Sequence, residues 1–191
     1  MVVRLTLPKE VTVNQPQVVD PVFGCRYRFF RTTNAKGEDI QVVDMEVAPG
    51  GGVSPHIHHS MEERFTVKSG RAEFLAGREW IGAGPGETVV VPAGTRHAFR
   101  NRGEEVAHVV CEAEPASSLE QFLTEVAALS RDGVFTRHGV PKGPSAALRS
   151  AVVIDKHQDM VELLFPPLPP RPVQGWLMGP LAKLGRRRGY A

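Results

Sequence analysis

The stretch that decides the fold is GGGVSPHIHHSMEERFTVKSG, residues 50–70. His56 and His58 are two positions apart, so on an extended chain their side chains point to the same side. In the following segment, strand alternation places Glu63 on a face shared with apolar neighbours and leaves the other polar side chains on the opposite face. We therefore expect Glu63 to point inward and to join the two imidazoles.

A second stretch, GETVVVPAGTRHAFRN, covers residues 86–101 and supplies a third imidazole, that of His97. Pro92, Ala93 and Gly94 predict a tight turn that directs the strand carrying His97. Neutral imidazoles and an ionised carboxylate are good ligands for first-row divalent cations, and three of the former with one of the latter leave coordination positions open. The sequence therefore predicts a metal site whose four ligands are His56, His58, Glu63 and His97.

Other residues near these segments are weaker candidates for the site. Glu62 fits a looser spacing than Glu63, but the alternation directs it outward. His59 has the opposite parity to His58, which favours an exposed residue or a hydrogen-bonding partner of the ligands. His108 becomes a pocket residue if its face of the strand points inward, and is otherwise a core histidine. Small-molecule pockets are mostly apolar, so we expect a substrate pocket beside the metal site. Its expected lining residues are Phe65, Phe74, Phe99 and His108, and the three phenylalanines would also belong to the hydrophobic core.

Around these stretches, from Cys25 to Cys111, short β-branched or alternating runs are broken by turns rich in Gly, Pro and Asn. This pattern is typical of an antiparallel sandwich or barrel. The predicted strands are Arg26–Arg31, Ile40–Val47, Arg64–Lys68, Ala72–Leu75, Thr88–Val91, His97–Arg100 and Val106–Cys111.

After residue 115 the pattern becomes helical, with apolar residues at Leu119, Phe122, Leu123, Val126 and Leu129. A serine at position 117 or 118 is the expected N-cap, and Gly133 is a stop signal. A second helical pattern covers Ala146–Phe165 and ends at the prolines that follow. A third covers Val173–Leu184, with a predicted interruption at Pro180.

This tail has too few residues for a core of its own. We therefore divide the chain into a barrel with N-terminal strands at residues 1–115 and a helical tail at residues 116–191. The tail is expected to pack on the barrel or across a subunit interface, burying Trp176, Leu177 and Leu181.

The composition narrows the function classes. The chain has 191 residues, 41% hydrophobic and 23% charged, which suits one soluble globular domain. Its 23 basic and 21 acidic residues are too balanced for a nucleic-acid footprint over the whole surface, and the basic run at residues 186–188 is expected to be a solvated end. The first ten residues lack a signal-peptide core, and no stretch approaches the roughly 20 apolar residues of a membrane-spanning helix. With two distant cysteines outside any CxxC pair, we expect a cytoplasmic protein with no membrane or nucleic-acid partner.

Both stretches resemble the two characteristic motifs of the cupin superfamily, including every glycine, the proline and the terminal Asn101. The resemblance implies an all-β fold, a double-stranded β-helix or jelly-roll barrel, with the helical tail as a C-terminal extension. It also implies one divalent transition metal at the barrel centre, which can be Fe, Mn, Ni, Zn, Cu or Co. The tail is similar to that of small single-domain bacterial cupin-2 proteins, whose physiological role is generally unassigned.

By this resemblance, the leading function is an oxidoreductase, a metal-dependent dioxygenase of the quercetinase type acting on a small enolic or aromatic compound. Glu63 would then be catalytic as a proton acceptor. A metal-dependent isomerase or lyase would use the same polarisation of the substrate, and a non-catalytic small-molecule-binding or sensor protein is a third alternative. Cupin barrels commonly pair, and exposed edge strands with an apolar tail predict a homodimer.

Overall fold

The computed structural model describes residues 16–164 and 171–190. Its strands are β1 Val18–Asp20, β2 Cys25–Thr33, β3 Asp39–Val47, β4 Gly52–Ile57, β5 Glu62–Ser69, β6 Ala72–Ala76, β7 Glu79–Ala83, β8 Thr88–Val91, β9 His97–Arg100, β10 Ala107–Glu114 and β11 Glu162–Leu163. Its helices are α1 Leu119–Arg131, α2 Gly143–Lys156 and α3 Arg171–Arg187. One sheet has the strand order β1-β2-β3-β10-β5-β8 and the other the order β11-β4-β9-β6-β7, and all pairings are antiparallel.

The expected jelly roll with a C-terminal helical extension is confirmed, since two sheets pack as a sandwich and helices follow them, but the class all-β is too narrow for the whole described chain. Three helices make the described architecture a mixed one. The physical reason is the change of apolar spacing after residue 115. A period of 3.6 residues buries its apolar face as a helix, whereas the period of two before it buries its apolar face in a sheet.

Each predicted strand occurs, and β8 and β9 have the predicted bounds. Four strands were not predicted: β1, β4, β7 and β11. In β4, Pro55 cannot donate a ladder hydrogen bond, and the register with β9 shifts between Val53 and His56. The strands β1 and β11 have three and two residues, which is too short for an alternating pattern to be seen.

Every second side chain of the central strands points into the space between the two sheets and fills it. The inward residues of β10 are at most 1% exposed: Ala107, Val109, Cys111 and Ala113. In β5, Phe65 and Val67 point inward together with Glu63, as predicted, while Arg64 is exposed. An ionised carboxylate is therefore carried into an apolar interior, where it needs a compensating partner.

Two glycines of the first stretch allow strands to approach closely. A Cβ atom on Gly52 would lie 2.3 Å from the carbonyl oxygen of Phe99, and one on Gly70 would lie 2.6 Å from that of Val106. Asn101, which is 1% exposed, then ties the strand ends by donating to two backbone carbonyl groups and accepting from one N–H. These contacts bring β4 alongside β9 and place His56 opposite His97.

The first helix has the expected form, with Ser118 at the N-cap and Gly133 beyond its end in a positive-φ conformation. The second prediction was wrong in its last part, because α2 ends at Lys156 and the chain then pairs as β11 with β4. The reason is that an apolar pair just before β11, Met160 and Val161, packs into the sandwich core, where a continued helix would not reach.

The third helix runs through Pro180 without the predicted interruption. Pro180 is on the exposed side of α3, so the helix hydrogen bond that a proline cannot donate is missing at the surface and not in the packed interior. Small residues form the packed side: Ala182 is fully buried, and a Cβ atom on Gly185 would lie 2.7 Å from a methyl group of Val152 in α2.

The expected burial of the large apolar residues of α3 is therefore wrong for the single chain. Trp176 is 75% exposed, and Leu177 and Leu181 are each 39% exposed, because α3 packs on α2 through its small residues. The homodimer stays a prediction. Within the described ranges no helix combines the length and apolar character needed to cross a membrane.

A buried histidine joins the first two helices. His157, 1% exposed, lies with Nδ1 3.1 Å from the Ser118 hydroxyl and Nε2 3.1 Å from a carboxylate oxygen of Glu125. Glu125 also accepts a hydrogen bond from Lys156. Burial alone would raise the pKa of Glu125, but hydrogen bonds from Lys156 and His157 lower it below its usual 4.5.

Replacement of His157 by Ala should lower the free energy of unfolding by about 2 kcal/mol, because two polar partners lose their hydrogen bonds and a buried ring is removed. Urea denaturation measures this change. The control is His138→Ala, at an exposed position in the loop between α1 and α2, which should leave the midpoint unchanged. Equal midpoints for the two variants would contradict the role of His157.

The lowered pKa of Glu125 also predicts a pH dependence. A carboxyl group whose pKa is depressed by folding contributes stability above its unfolded-state pKa and loses that contribution as the pH falls through the folded-state value. The stability difference between the native chain and Glu125→Gln should therefore be largest at neutral pH and shrink below about pH 4.5. Denaturation curves recorded from pH 7 to pH 3 test this, and a constant difference would contradict it.

Candidate metal centre

Four side chains converge between the two sheets. His56 belongs to β4, His58 follows it directly, and Glu63 and His97 stand near the starts of β5 and β9. The ring centroids of the three histidines lie 4.1 to 5.1 Å apart. One possible ligand atom from each of the four residues lies within 4.8 Å of all the others. The structure therefore brings together the four residues predicted as metal ligands, from segments up to 41 positions apart (97 − 56).

Each imidazole is oriented by a backbone carbonyl group. In His56 and His97, Nδ1 lies 2.9 and 2.8 Å from the carbonyl oxygen of the residue two positions earlier. In His58, Nδ1 lies 2.9 Å from the carbonyl oxygen of Met160. A carbonyl oxygen can only accept, so each Nδ1 carries a proton and donates it. In the neutral ring, the lone pair is then on Nε2, the atom available to a metal.

Glu63 supplies the fourth donor. Its Oε2 lies 2.8 Å from Nε2 of His97, and its Oε1 lies 3.8 Å from Nε2 of His58 and 3.7 Å from the thiol of Cys111. Oε2 of Glu63 and Nε2 of His97 are both buried and have no hydrogen bond of acceptable direction among the described residues. Two lone pairs that face each other at this distance repel unless a cation lies between them.

The electrostatics of the cluster favours one shared positive charge. Burial alone would raise the pKa of Glu63, but the charges of the surrounding histidines, His58 first, and contact with His97 lower it to about 2. Burial alone would lower the pKa of His97, but the carboxylate of Glu63 outweighs this effect and raises it. Burial and the neighbouring imidazoles lower the pKa of His56 well below its usual range, and burial lowers that of His58.

The donor set fits a divalent transition metal. Three neutral imidazole nitrogens and one carboxylate oxygen match the ligand preferences of first-row ions, which accept both donor types. The unpaired atoms of Glu63 and His97 are the structural sign of this fit, because a bound cation would satisfy both. Several ions share these preferences, so the donor set selects a class of metal rather than one element.

The C-terminal part of the chain completes the cluster, which sequence patterns did not predict. Met160 holds His58, and β11 pairs with β4 so that Leu163 lies beside His56. His59 is directed away from the cluster, with Nε2 2.9 Å from a carboxylate oxygen of Glu162. The only local signal for β11 is the apolar run around residues 160–165, which helical spacing equally explains.

A largely apolar cavity of about 150 Å³ opens from the cluster. Of the expected pocket residues, Phe65 and Phe99 line it. Phe74 does not line it, because it is 1% exposed and stacks behind Phe65, with ring centroids 5.1 Å apart. Sequence reasoning missed the aromatic and polar lining residues that come from β1, β2, the turn between them and the tail, among them Asp20, Phe23, Tyr27, Phe122 and Phe135.

His108 is not brought to the cavity, so its assignment as a pocket residue is not supported. It lies on the outer face of β10, 39% exposed, and contacts Asp44. Val109, Val110 and Cys111 are three consecutive apolar residues, which makes the inward face of β10 ambiguous in the sequence. Glu62 points outward as expected, and it pairs with Arg64 at 2.7 Å.

Comparison with known proteins shows which family the central segment of the chain resembles. Residues 43–111 match the family described as Cupin domain. Mannose-1-phosphate guanylyltransferase ManC from Salmonella typhimurium is 34% identical over 68 residues, 36% of this chain and 14% of that protein. Polyketide synthase CurC from Streptomyces cyaneus is 34% identical over 87 residues, 44% of this chain and 56% of that protein. This chain therefore spans a small part of the first relative and about half of the second.

Among solved structures, an uncharacterized conserved protein with a double-stranded beta-helix domain from Klebsiella pneumoniae is 26% identical. The superposition has a TM-score of 0.39 and covers 46% of this chain and 76% of that chain. The helical tail, from residue 116 onward, lies outside the segment that matches the family.

Replacement of His97 by Ala should remove one of the four ligands and lower the metal content of the purified protein well below one ion per chain. Elemental analysis of protein purified from metal-supplemented cells measures this content. The matched control is His108→Ala, which removes a histidine from the outer face of the same sandwich and should leave the metal content unchanged. Full metal content in His97→Ala would show that the cluster is not the metal site.

Proposed function

The chain belongs to the cupin superfamily, and we propose that it is a metal-dependent oxygenase that adds dioxygen to a small enolic or aromatic compound. The observation that carries the proposal is the convergence of three imidazoles and one buried carboxylate at the wall of an apolar cavity. Since a fold by itself implies no activity, the proposal rests on this site.

The residues of the cluster would hold the metal through Nε2 of His56, His58 and His97 and through a carboxylate oxygen of Glu63. When bound, such a metal polarises an oxygen-bearing substrate as a Lewis acid and gives dioxygen a redox-active partner. The backbone carbonyl groups that hold each Nδ1 keep the rings in place when substrate enters. They therefore preorganise the site.

Glu63 is the residue placed to take a proton. Its pKa of about 2 keeps it ionised at neutral pH, and its Oε1 faces the cavity side of the cluster beside Cys111. An enol or phenol polarised in the metal-loaded site would be far more acidic than the free compound, so its hydroxyl proton would pass to this carboxylate and leave the electron-rich anion that reacts with dioxygen. Dioxygen is both the oxidant and the source of the two oxygen atoms in the product, so no external reductant is needed.

The cavity walls favour a planar substrate. Phe65 and Phe99 line the cavity with ring centroids 6.1 Å apart and planes inclined by 51°. Aromatic walls of this kind contact a flat ring over much of its surface and exclude water from the reacting atoms. An apolar aromatic or enolic compound is therefore favoured over a sugar, whose hydroxyl groups would lose their hydrogen bonds to water.

The relative from Streptomyces cyaneus supports the same substrate class. Its name, polyketide synthase CurC, refers to chains of alternating keto and methylene groups, which enolise and cyclise to phenols. Enols and phenols carry the oxygen atoms that a metal of this kind binds. The ManC relative, whose name refers to a sugar phosphate, is the less suitable guide because the cavity offers little to such a molecule.

The proposal is tested with protein loaded separately with Fe(II), Mn(II), Ni(II) or Cu(II) and offered 4-methylcatechol or the small 1,3-diketone pentane-2,4-dione, which match the size of the cavity. We expect dioxygen consumption at an oxygen electrode and incorporation of both atoms of labelled dioxygen into the product. Glu63→Gln should lower the rate by at least about 100-fold, because the proton acceptor is lost. The control Glu62→Gln changes an outward-facing carboxylate one position away and should retain the rate.

Two outcomes would contradict the oxygenase. A product formed without dioxygen consumption would identify an isomerase or a lyase. Thermal stabilisation by the ligand with no product would identify a binding or sensor protein.

A further inference from the structure

We propose that the ligand of this cavity carries no charged group apart from the oxygen atoms that meet the metal cluster, and that its apolar body lies against the helical tail. The position of the oxygen-bearing end rests on the proposed function. The charge and shape of the remainder rest on the cavity itself.

The chemistry of the lining residues excludes a second anionic group. Among the described residues that line the cavity there is no lysine and no arginine. The two lining carboxylates, Asp20 and Glu63, are 2% and 5% exposed and would repel an anion. A phosphate or a carboxylate on the ligand body would therefore be buried without a partner, which disfavours binding strongly.

Two polar residues that line the cavity outside the metal cluster, Asp20 and Ser150, have hydrogen-bond partners within the chain. Oδ1 of Asp20 accepts hydrogen bonds from the N–H groups of Val22 and Phe23. The hydroxyl group of Ser150 donates to the carbonyl oxygen of Ala146. Since these atoms have partners, they do not require a polar ligand. Asp20 is the one acidic residue among the described lining residues outside the metal cluster, so a cation on the ligand body would be buried mostly among apolar side chains.

The remaining wall of the cavity comes from the tail. Five residues of α1 with helical spacing line it: Leu119, Phe122, Leu123, Val126 and Leu129. The helix α2 adds Ile154, and β11 and the residue before it add Leu163 and Val161. These residues lie outside residues 43–111, so the tail adds a wall to the cavity that the segment matching the family does not supply.

The size of the cavity limits the ligand body. An apolar cavity of about 150 Å³ is large enough for one benzene ring. A ring with one short substituent is therefore the size of body that the cavity encloses.

Three probes of nearly equal size test the inference. All have the same pair of adjacent phenolic oxygens, and they differ in the group opposite: 4-methylcatechol is uncharged there, 3,4-dihydroxybenzoate is anionic, and 3,4-dihydroxybenzylamine is cationic. Calorimetry under nitrogen with the Zn(II)-loaded protein measures binding without turnover. We expect the Kd of 4-methylcatechol to be at least about tenfold lower than that of either charged probe. Equal affinities, or tighter binding of a charged probe, would overturn the inference.

A charge placed in the cavity wall that α1 forms provides the second test. Val126→Arg puts a cation at a cavity-lining position of α1. It should raise the Kd of 4-methylcatechol and lower the Kd of 3,4-dihydroxybenzoate. The matched control Gln121→Arg adds the same charge at an exposed position of α1 and should change neither Kd. If Val126→Arg does not fold, the comparison of the three probes on the native chain still decides the question.

Failure of the metal site is distinguishable from failure of this inference. If elemental analysis finds no zinc in the loaded protein, the proposed function fails, and the same probes are then compared by thermal shift on the metal-free chain. The preference for the uncharged probe is expected there too, because it comes from the apolar walls. Its loss would overturn the inference.

Discussion

Three backbone carbonyl groups hold the rings of His56, His58 and His97 with Nδ1 outward and Nε2 inward, and the rest of the site depends on this constraint. Because the Nδ1 protons are committed to those carbonyl groups, the three Nε2 lone pairs and the carboxylate of Glu63 converge with no donor among them. Such a convergence is costly in a buried space unless a positive charge lies within it. The cluster is therefore better explained as a cation site than as ordinary core packing.

The strand register and side-chain alternation of the sandwich place the four donor residues around one point. Gly52 lets β4 approach β9 closely enough for His56 to stand opposite His97 in the register, although Pro55 disturbs the ladder between them. Alternation in β5 then directs Glu63 to the same interior point. The hydrogen-bond ladder between β4 and β9 and the side-chain alternation in β5 together fix the positions of donors that are distant in sequence. A rigid sheet scaffold therefore suits a metal site.

The helical tail has two roles in the site. The carbonyl group of Met160 orients His58, and β11 covers the edge of β4, so the tail supports the metal ligands directly. The helix α1 contributes an apolar wall to the cavity. Since the tail lies beyond the segment that matches the family, the cavity is lined partly by that segment and partly by residues outside it.

The sequence by itself determined the strands that alternate clearly, the first helix, and the four residues of the cluster. These features are local: a spacing of two between His56 and His58, the parity of Glu63, and a turn before His97 are visible within a few residues of one another. Only the tertiary structure decided that residues 161–164 leave the helical pattern, that His108 faces outward and that Phe74 lies behind Phe65. Each of these outcomes depends on contacts between distant segments, such as the hydrogen bond that joins residues 58 and 160. A local pattern does not say which distant segment will pack against it. The cavity, and the wall that the tail contributes to it, therefore form only when the whole chain has folded.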